Sequence, residues 1–318
     1  MTHPPALRRR TLLALASGLG LPGVASASRE RDPIELIVPA SAGTPADRWA
    51  RAMAPFLERV WPRQPLVVRN RPGRGGLEAL AELAAIGRER KVIATMTTPS
   101  LIARGIEAGE TPLVERITPL AALIEEPVLL VTAPGGPTEL EQLRNGTTAP
   151  IGAPPPGTGA HVTAMRLAER VGLPLLAFPS AAAARQAAAA SHVAAATLSL
   201  AEAIGFLRDN KLVALGVAST RRTPLLPDLP TLREAGLELL GATRRGFALP
   251  PGIPSEWRDR MAVGLNNLAN DPDLATVAAE NGQVPRYLGP EAWSTLLARQ
   301  EDELRRRWQE DPWLPRRT

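Results

Sequence analysis

The sequence contains no cysteine and only three histidines in 318 residues. The absence of cysteine excludes disulfide bridges, thiolate catalysis, iron–sulfur clusters and zinc held by thiolates. Three scattered imidazoles, His3, His161 and His192, cannot build a histidine-rich metal site, and they leave few candidates for a proton relay. We therefore expect no metal ion and no cofactor.

Aromatic residues make up only 3% of the chain, and lysine occurs only at Lys91 and Lys211. The net charge of +5 is weak evidence for a nucleic-acid partner, because three of the positive charges belong to Arg8–Arg10 at the N-terminus. No basic stripe carries the interleaved aromatic side chains on which single-stranded nucleic acids stack. The composition predicts no nucleic-acid partner.

Apolar runs are also short, and the N-terminal one has the form of an export signal. It extends from about Thr11 to Val24, is broken by glycine and proline, and falls short of the ~20 residues that a membrane-spanning helix needs. Arg8–Arg10 precede it and Ala25-Ser26-Ala27 follow it as a cleavage pattern. Residues 1–27 are therefore predicted to be a signal peptide, and the alternative is an uncleaved anchor. The arginines of this segment also resemble a twin-arginine signal. The mature protein is expected in the periplasm.

The rest of the chain alternates short apolar runs with helical segments. This alternation predicts two α/β units with mixed sheets and crossover helices. Strands are predicted at 34–38, 66–68, 91–95, 127–132, 150–153, 175–178 and 212–218, and helices at 45–60, 77–87, 181–196 and 291–310. Helix starts are indicated where a hydroxyl residue precedes an acid by three positions, at Thr44, Thr138, Ser199 and Thr231.

A small-residue loop, Ser41-Ala42-Gly43-Thr44, leaves the first predicted strand and enters a helix. Backbone N–H groups and the helix dipole at such a point attract an anion, although each contact supplies only about 0.3–2 kcal/mol. Binding with micromolar affinity requires about 8 kcal/mol of binding free energy, so a second group of contacts from elsewhere in the chain is required. The alternative is a plain turn in which Asp47 caps the helix.

A second loop, Ala153–His161, has the same form and brings Gly157, Thr158 and His161 to a helix start. Thr97 and Thr98 lie in a third hydroxyl-bearing loop. Two such loops at helix N-termini, if they face each other, would suit a small carboxylate held between two lobes. The alternative for His161 is a buried structural histidine.

Sequence signatures of common enzyme classes are missing. The chain has no G-x-S-x-G elbow, Walker A loop, HExxH or GxGxxG motif. A serine hydrolase would have to use His161 or His192, and His192 has no evident nucleophile beside it. We expect no catalysis.

Taken together, five segments resemble the Bug family, the extracytoplasmic solute receptors of tripartite tricarboxylate transporters. Val38–Arg51 is similar to that family's VPFPAGGGTDxxAR, and Asn70–Gly76 to its NRPGAGG. Gly157, Thr158 and His161 resemble its GNGTSSH. Lys211–Gly236 is similar to KLRALAVTSAKRSPALPDVPTVAEAG, and Gly246–Pro254 to GLFAPAGTP. The segments occur in the same order over essentially the whole mature chain.

The resemblance implies a two-lobed periplasmic binding protein of the type II kind, with two hinge strands near Pro127 and Gly246. Residues 28–127 plus 247–318 would form one lobe and residues 128–246 the other. A small organic anion, a carboxylate, would be captured between them and delivered to the transporter's membrane permease by a monomeric receptor. Alternatives are a sensor of the same fold that feeds a membrane receptor, a secreted hydrolase, and a drifted relative without a ligand.

The chain departs from the family pattern in the predicted binding loops. Pro45 and Pro154–Pro156 remove backbone donors, and Phe178 takes the place of a tyrosine. These changes favour a more apolar or aromatic carboxylate over a dicarboxylate. The resemblance and the loop pattern together predict these ligand contacts: Ser41, Ala42, Gly43, Thr44, Thr97, Thr98, Gly157, Thr158, His161, Phe178 and Ser180.

Overall fold

The computed structural model describes residues 33–61, 65–87 and 90–314, so the predicted signal peptide 1–27 lies outside the described residues. The chain opens with β1 (Ile34–Val38), α1 (Pro45–Val60), β2 (Leu66–Asn70), α2 (Leu77–Ala85), β3 (Val92–Thr98), α3 (Ser100–Glu107), α4 (Leu113–Arg116) and β4 (Thr118–Thr132). The middle contains α5 (Leu140–Asn145), β5 (Ile151–Ala153), α6 (Gly159–Val171), β6 (Leu175–Ala177), α7 (Ala181–Ala189), β7 (Ala195–Ser199), α8 (Leu200–Arg208) and β8 (Val213–Val217). The last part consists of β9 (Ala242–Leu249), α9 (Ser255–Ala269), α10 (Pro272–Glu280), β10 (Val284–Leu288) and α11 (Pro290–Glu310).

The strands form a mixed sheet in the order β2-β1-β3-β9-β4-β7-β5-β6, with β8 and β10 also paired to β4. We call β1, β2, β3, β9, β10 and residues 118–127 of β4 the first half-sheet. The second half-sheet consists of β5, β6, β7, β8 and residues 128–132 of β4. Each half contains a parallel trio, β2-β1-β3 and β6-β5-β7, of the kind that crossover helices connect. The predicted α/β fold with mixed sheets and crossover helices is confirmed.

The strand β4 joins the two halves. Its residues 118–127 pair with β9, and its residues 128–132 pair with β7 and β8. Fourteen of its fifteen residues are buried, which explains its long apolar sequence. The chain returns to the first half-sheet through β9, so the two predicted crossing points, Pro127 and Gly246, both lie in these strands.

Helices cover both faces of each half-sheet. In β1, Leu36 packs against α1 and α9, whereas Ile37 on the opposite face packs against α2, α3 and α11. This alternation follows from the two-residue repeat of a strand. The helix α6 covers one face of the second half-sheet, and α7 and α8 cover the other. No helix in the described ranges is long and apolar enough to cross a membrane.

Several local predictions were wrong. The alanine-rich stretch 181–196 is helical only to Ala189, and Ala195 starts a buried strand between β4 and β5, because sheet pairing outweighs the helix preference of alanine. Neither Thr138 nor Thr231 starts a helix: α5 begins at Leu140 after Glu139, and Thr231 forms an isolated β-bridge with Val217 and is followed by a turn. The strands β9 and β10 were missed altogether.

Candidate functional site

A cavity of about 320 Å³ lies where β1 and β3 end and α1 and α3 begin. Ligand sites of α/β proteins are commonly found at the carboxyl ends of parallel strands. The lining residues are mostly small and neutral, and Arg245 is the one charged side chain among them. They are Pro39, Ala40, Thr44, Pro45, Ala46, Gly75, Thr95, Thr97, Ser100, Leu101 and Arg245.

Two helix N-termini open onto this cavity. In α1, Thr44 caps the helix and Pro45 has no N–H, while the N–H of Ala46 finds no acceptor among the described residues. In α3, no side chain caps the first turn, and the N–H groups of Ser100 and Leu101 are likewise without an acceptor in the described part. The partial positive charge at both helix ends therefore faces the cavity and favours an anion.

Arg245, from the crossing strand β9, supplies a full positive charge. Its Nε donates to Glu126 Oε1 (2.6 Å), and its guanidinium carbon lies 5.8 Å from the ring centre of Trp49. Glu126 is buried and also accepts from Gln283 Nε2 (2.7 Å). Among the described residues no other acceptor pairs with this guanidinium, so its terminal N–H groups are available to a ligand.

Sequence reasoning missed Arg245, although a signal existed. Glu125 and Glu126 interrupt an apolar strand, and buried carboxylates are almost never left without a cation or hydrogen-bond donor. The pattern therefore demanded cationic partners, but it did not say which arginines would supply them.

Of the predicted ligand contacts, the structure brings Thr44 and Thr97 together in this cavity. Ser41, Ala42 and Gly43 form the exposed turn before α1 and do not line it. Thr98 is buried and its hydroxyl has no hydrogen-bond partner among the described residues. Because it follows Thr97 directly along β3, its side chain points to the opposite face of the sheet from Thr97.

Three predicted hydroxyls act as helix caps. Thr44 Oγ1 donates to Ser41 O (2.7 Å) and accepts from Asp47 N, and Thr158 Oγ1 donates to Pro155 O (2.9 Å) and accepts from His161 N (3.2 Å). Ser180 accepts from Ala183 N at the start of α7. A hydroxyl has one proton to donate, so Thr44 and Thr158 have none left for an anion in this conformation.

Asp47 holds the first turn of the site in place. Its carboxylate accepts from Gly43 N (2.8 Å), Asn70 Nδ2 (2.8 Å) and Arg51 Nε (3.0 Å). These hydrogen bonds, that from Gly43 above all, lower the pKa of Asp47 from 3.8 to about 2. Its negative charge is satisfied locally, which makes it a structural residue of the loop.

The second predicted loop packs against two elements that line the cavity. A methyl group on the Cα of Gly157 would lie 2.8 Å from Ala103 Cβ in α3, and one on Gly159 would lie 2.5 Å from Thr243 Oγ1 in β9. Ala103 follows Ser100 by three residues, and Thr243 shares a strand face with Arg245. The loop therefore packs against two elements whose other residues line the cavity, while its own residues are not part of the lining.

His161 faces a separate cavity of about 460 Å³, which Arg307 and Trp313 also line. It is 1% exposed, its Nδ1 accepts from Gly157 N (3.4 Å), and burial together with the nearby charge of Arg307 lowers its pKa from 6.5 to about 4. Phe178 is partly buried and packs against the core of the second half-sheet, and Ser180 is exposed. A role for these three residues in ligand binding stays a prediction.

Within the described ranges, no group of three or more histidine and acidic side chains is placed to hold a metal ion.

Comparisons with known proteins agree on one family. The sequence profile described as "Tripartite tricarboxylate transporter family receptor" matches residues 59–306. A UPF0065 protein of Agrobacterium vitis is 25% identical over 297 residues, which cover 88% of this chain and 84% of that protein. The crystal structure of a TctC solute binding protein from Polaromonas, without ligand, superposes with a TM-score of 0.77 at 26% identity, covering 86% of this chain and 96% of that one. MatC from Rhodopseudomonas palustris, with bound malate, shares the fold (TM-score 0.65, 21% identity, 86% and 98% covered).

Proposed function

Because the chain belongs to the tripartite tricarboxylate transporter receptor family, whose members are solute-binding receptors and not enzymes, we propose that it captures a small organic carboxylate in the cavity at Arg245. The observation that carries this proposal is a guanidinium with uncommitted N–H groups beside two helix N-termini. Arginine and a carboxylate form paired, charge-assisted hydrogen bonds, which are stronger than neutral ones. Ala46, Ser100 and Leu101 supply backbone donors to the same anion.

The cavity favours a single carboxylate attached to an apolar body. Arg245 is the one charge in its lining, and Pro39, Pro45 and Leu101 offer apolar surface next to it. A second carboxylate on the same ligand would lack a counter-charge there and would lose its hydration without compensation. The malate found in a relative of the same fold is therefore a less suitable ligand for this chain than an aliphatic or aromatic monocarboxylate.

We further propose that residues 28–127 plus 247–318 and residues 128–246 are two lobes that close over the ligand. The change of partner strands along β4 supports this division, because its first part pairs with β9 and its second part with β7. The approach of Gly157 to α3 and of Gly159 to β9 supports closure by the second loop. Of the predicted contacts, Thr97 then offers its hydroxyl to the ligand, beside the hydroxyls of Thr95 and Ser100 in the same lining.

The proposed setting is the periplasm. The pattern of residues 1–27 supports export, and the description of the family as a transporter receptor supports delivery of the ligand to a transporter permease. That the receptor acts as a monomer stays a prediction.

The test is a thermal-shift and calorimetry screen with malate, adipate, hexanoate and benzoate. At about 100 times its Kd a ligand adds about 2.7 kcal/mol of stability. Arg245→Gln is expected to weaken binding of the best monocarboxylate at least tenfold, roughly the value of one charge-assisted pair. Arg59→Gln, which breaks an exposed ion pair with Asp271, changes the net charge equally and should bind as the wild type does.

Arg245→Gln alone leaves Glu126 buried without its cation, and this variant could fail to fold. The double variant Glu126→Gln/Arg245→Gln removes both charges, so no unpaired carboxylate is left buried, and Glu126→Gln keeps the shape of the glutamate. If the folded double variant binds the monocarboxylate with wild-type affinity, Arg245 does not hold the ligand. If malate binds the wild type more tightly than hexanoate and benzoate, the single-carboxylate assignment is wrong.

A further inference from the structure

A second basic pocket lies on the other face of the crossing strand β9. Arg244 and Arg245 are consecutive in this strand, so their side chains point to opposite faces of the sheet. Arg245 lines the proposed ligand cavity, whereas Arg244 lines a pocket of about 230 Å³. Neither the family relationship nor the proposed ligand accounts for this second pocket.

The charges in this pocket do not balance. Its lining includes four arginines and two glutamates, which are Arg166, Arg244, Arg286, Arg299, Glu125 and Glu303. Both glutamates are already engaged: Glu125 accepts from Arg244 (2.8 Å) and lies 3.6 Å from Arg286, and Glu303 accepts two hydrogen bonds from Arg166 (2.5 and 2.7 Å). Arg299 has no acidic partner in the described part of the chain. The lining therefore carries two positive charges in excess.

Two buried polar atoms of the lining are also unsatisfied. Arg244 Nε has no acceptor, and Gln300 Oε1 has no donor. Buried polar atoms without a partner are rare in folded proteins. Rotation of the Gln300 amide by half a turn exchanges its oxygen for an NH₂ group, so both side chains can act as donors here. An acceptor with several oxygen atoms is the partner that this arrangement lacks.

The pocket draws its arginines from both halves of the molecule. Arg166 lies in α6, against the second half-sheet, while Arg286 and Arg299 come from β10 and α11. Arg244 lies in β9, the strand through which the chain returns to the first half-sheet. An anion bound among these arginines would contact α6, β9 and the β10–α11 segment at once.

We propose that this pocket binds a compact oxyanion with two negative charges, of which inorganic phosphate is the simplest example. The anion neutralises the two excess charges, and its oxygens accept from Arg299, Arg244 and the Gln300 amide. The site is independent of the carboxylate cavity, because the two lie on opposite faces of β9.

The experiment is a phosphate titration of the intact protein, followed by calorimetry and thermal shift at constant ionic strength adjusted with sodium chloride. We expect saturable stabilisation by phosphate. Arg299→Ala should weaken phosphate binding about tenfold or more, the usual effect of losing one charge-assisted hydrogen bond. The matched control is Arg306→Ala in the same helix, since Arg306 is exposed and outside the pocket and the substitution removes the same charge.

The carboxylate variant separates the two sites. Glu126→Gln/Arg245→Gln should keep phosphate binding, and Arg299→Ala should keep carboxylate binding. The proposal is overturned if phosphate stabilises the wild type no more than chloride does, or if Arg299→Ala and Arg306→Ala lose phosphate affinity equally. The second result would show a general effect of surface charge.

Discussion

At the scale of single residues, His161 makes the protein sensitive to mild acid. Its pKa is about 4 in the folded protein and 6.5 when unperturbed, mainly because burial disfavours the charged imidazole. The unfolded chain therefore binds a proton that the folded protein does not, and stability falls as the pH decreases from 6.5 to 4. The loss across this window is about 3 kcal/mol. Urea unfolding at pH 7 and pH 4.5 measures it.

The variant His161→Gln removes the titrating group and provides the control. It should lose clearly less stability than the wild type between the two pH values. Asp47 does not interfere, because its lowered pKa makes its contribution disappear only as the pH falls from 3.8 toward 2. An equal loss in wild type and variant would show that His161 is charged in the folded protein or that another group titrates.

Single residues also show where sequence reasoning stops. Thr44 and Thr97 could be placed in the cavity from the sequence, since each stands where a predicted strand gives way to a helix or loop. Arg245 could not, because its contact with Glu126 joins residues more than a hundred positions apart and depends on the pairing of two strands. The capping role of Thr158 was hidden for a different reason, since a cap and a ligand contact have the same sequence pattern.

At the scale of secondary-structure elements, an ion pair connects α6 to α11. Arg307 in α11 donates two hydrogen bonds to Glu169 in α6, the second at 3.0 Å. Because Glu169 is largely exposed, we expect a coupling of about 0.5–1 kcal/mol in a double-mutant cycle with Glu169→Gln and Arg307→Gln. Urea unfolding in low salt and in 1 M sodium chloride measures it, and screening should reduce it in high salt. A coupling that does not depend on salt would contradict an electrostatic connection.

The elements themselves were predictable to different degrees. The limits of β1 and α1 were predicted as the structure has them, because an unbroken apolar run and a Thr-Pro helix start are local signals. The strand β9 was not predicted, because two arginines and a glycine among its eight residues are not typical of a buried strand. Its place is determined by β3 and β4 on either side, and no local pattern encodes those partners.

At the scale of the whole molecule, closure of the proposed lobes depends on a glycine. Gly157 has a φ of +81° and lies against Ala103, whereas Gly172 has a φ of +73° with no atom near its Cβ position. Alanine at either position costs about 1–2 kcal/mol through the backbone conformation. Only Gly157→Ala also holds the second loop away from α3, so we expect it to weaken carboxylate binding at least tenfold and Gly172→Ala to leave it unchanged.

Small-angle scattering provides the structural readout of the same comparison. Saturating monocarboxylate should reduce the radius of gyration of the wild type and of Gly172→Ala, because a two-lobed receptor closes by rotation at its connecting strands. Gly157→Ala should show a smaller decrease or none. An unchanged radius in the wild type at saturation would speak against closure.

The packing of Trp49 has a practical consequence. Its indole stacks on Phe247 with ring centres 5.6 Å apart and lies beneath the guanidinium of Arg245, and its Nε1 is buried without a partner. Indole emission responds to the position of a nearby cation, and an anion that draws Arg245 toward itself shifts that charge. Trp49, one of six tryptophans in the chain, is therefore placed to report occupancy of the carboxylate cavity through its emission. Because the chain has no cysteine, a single introduced cysteine could be labelled with a thiol-reactive dye without labelling at any other residue.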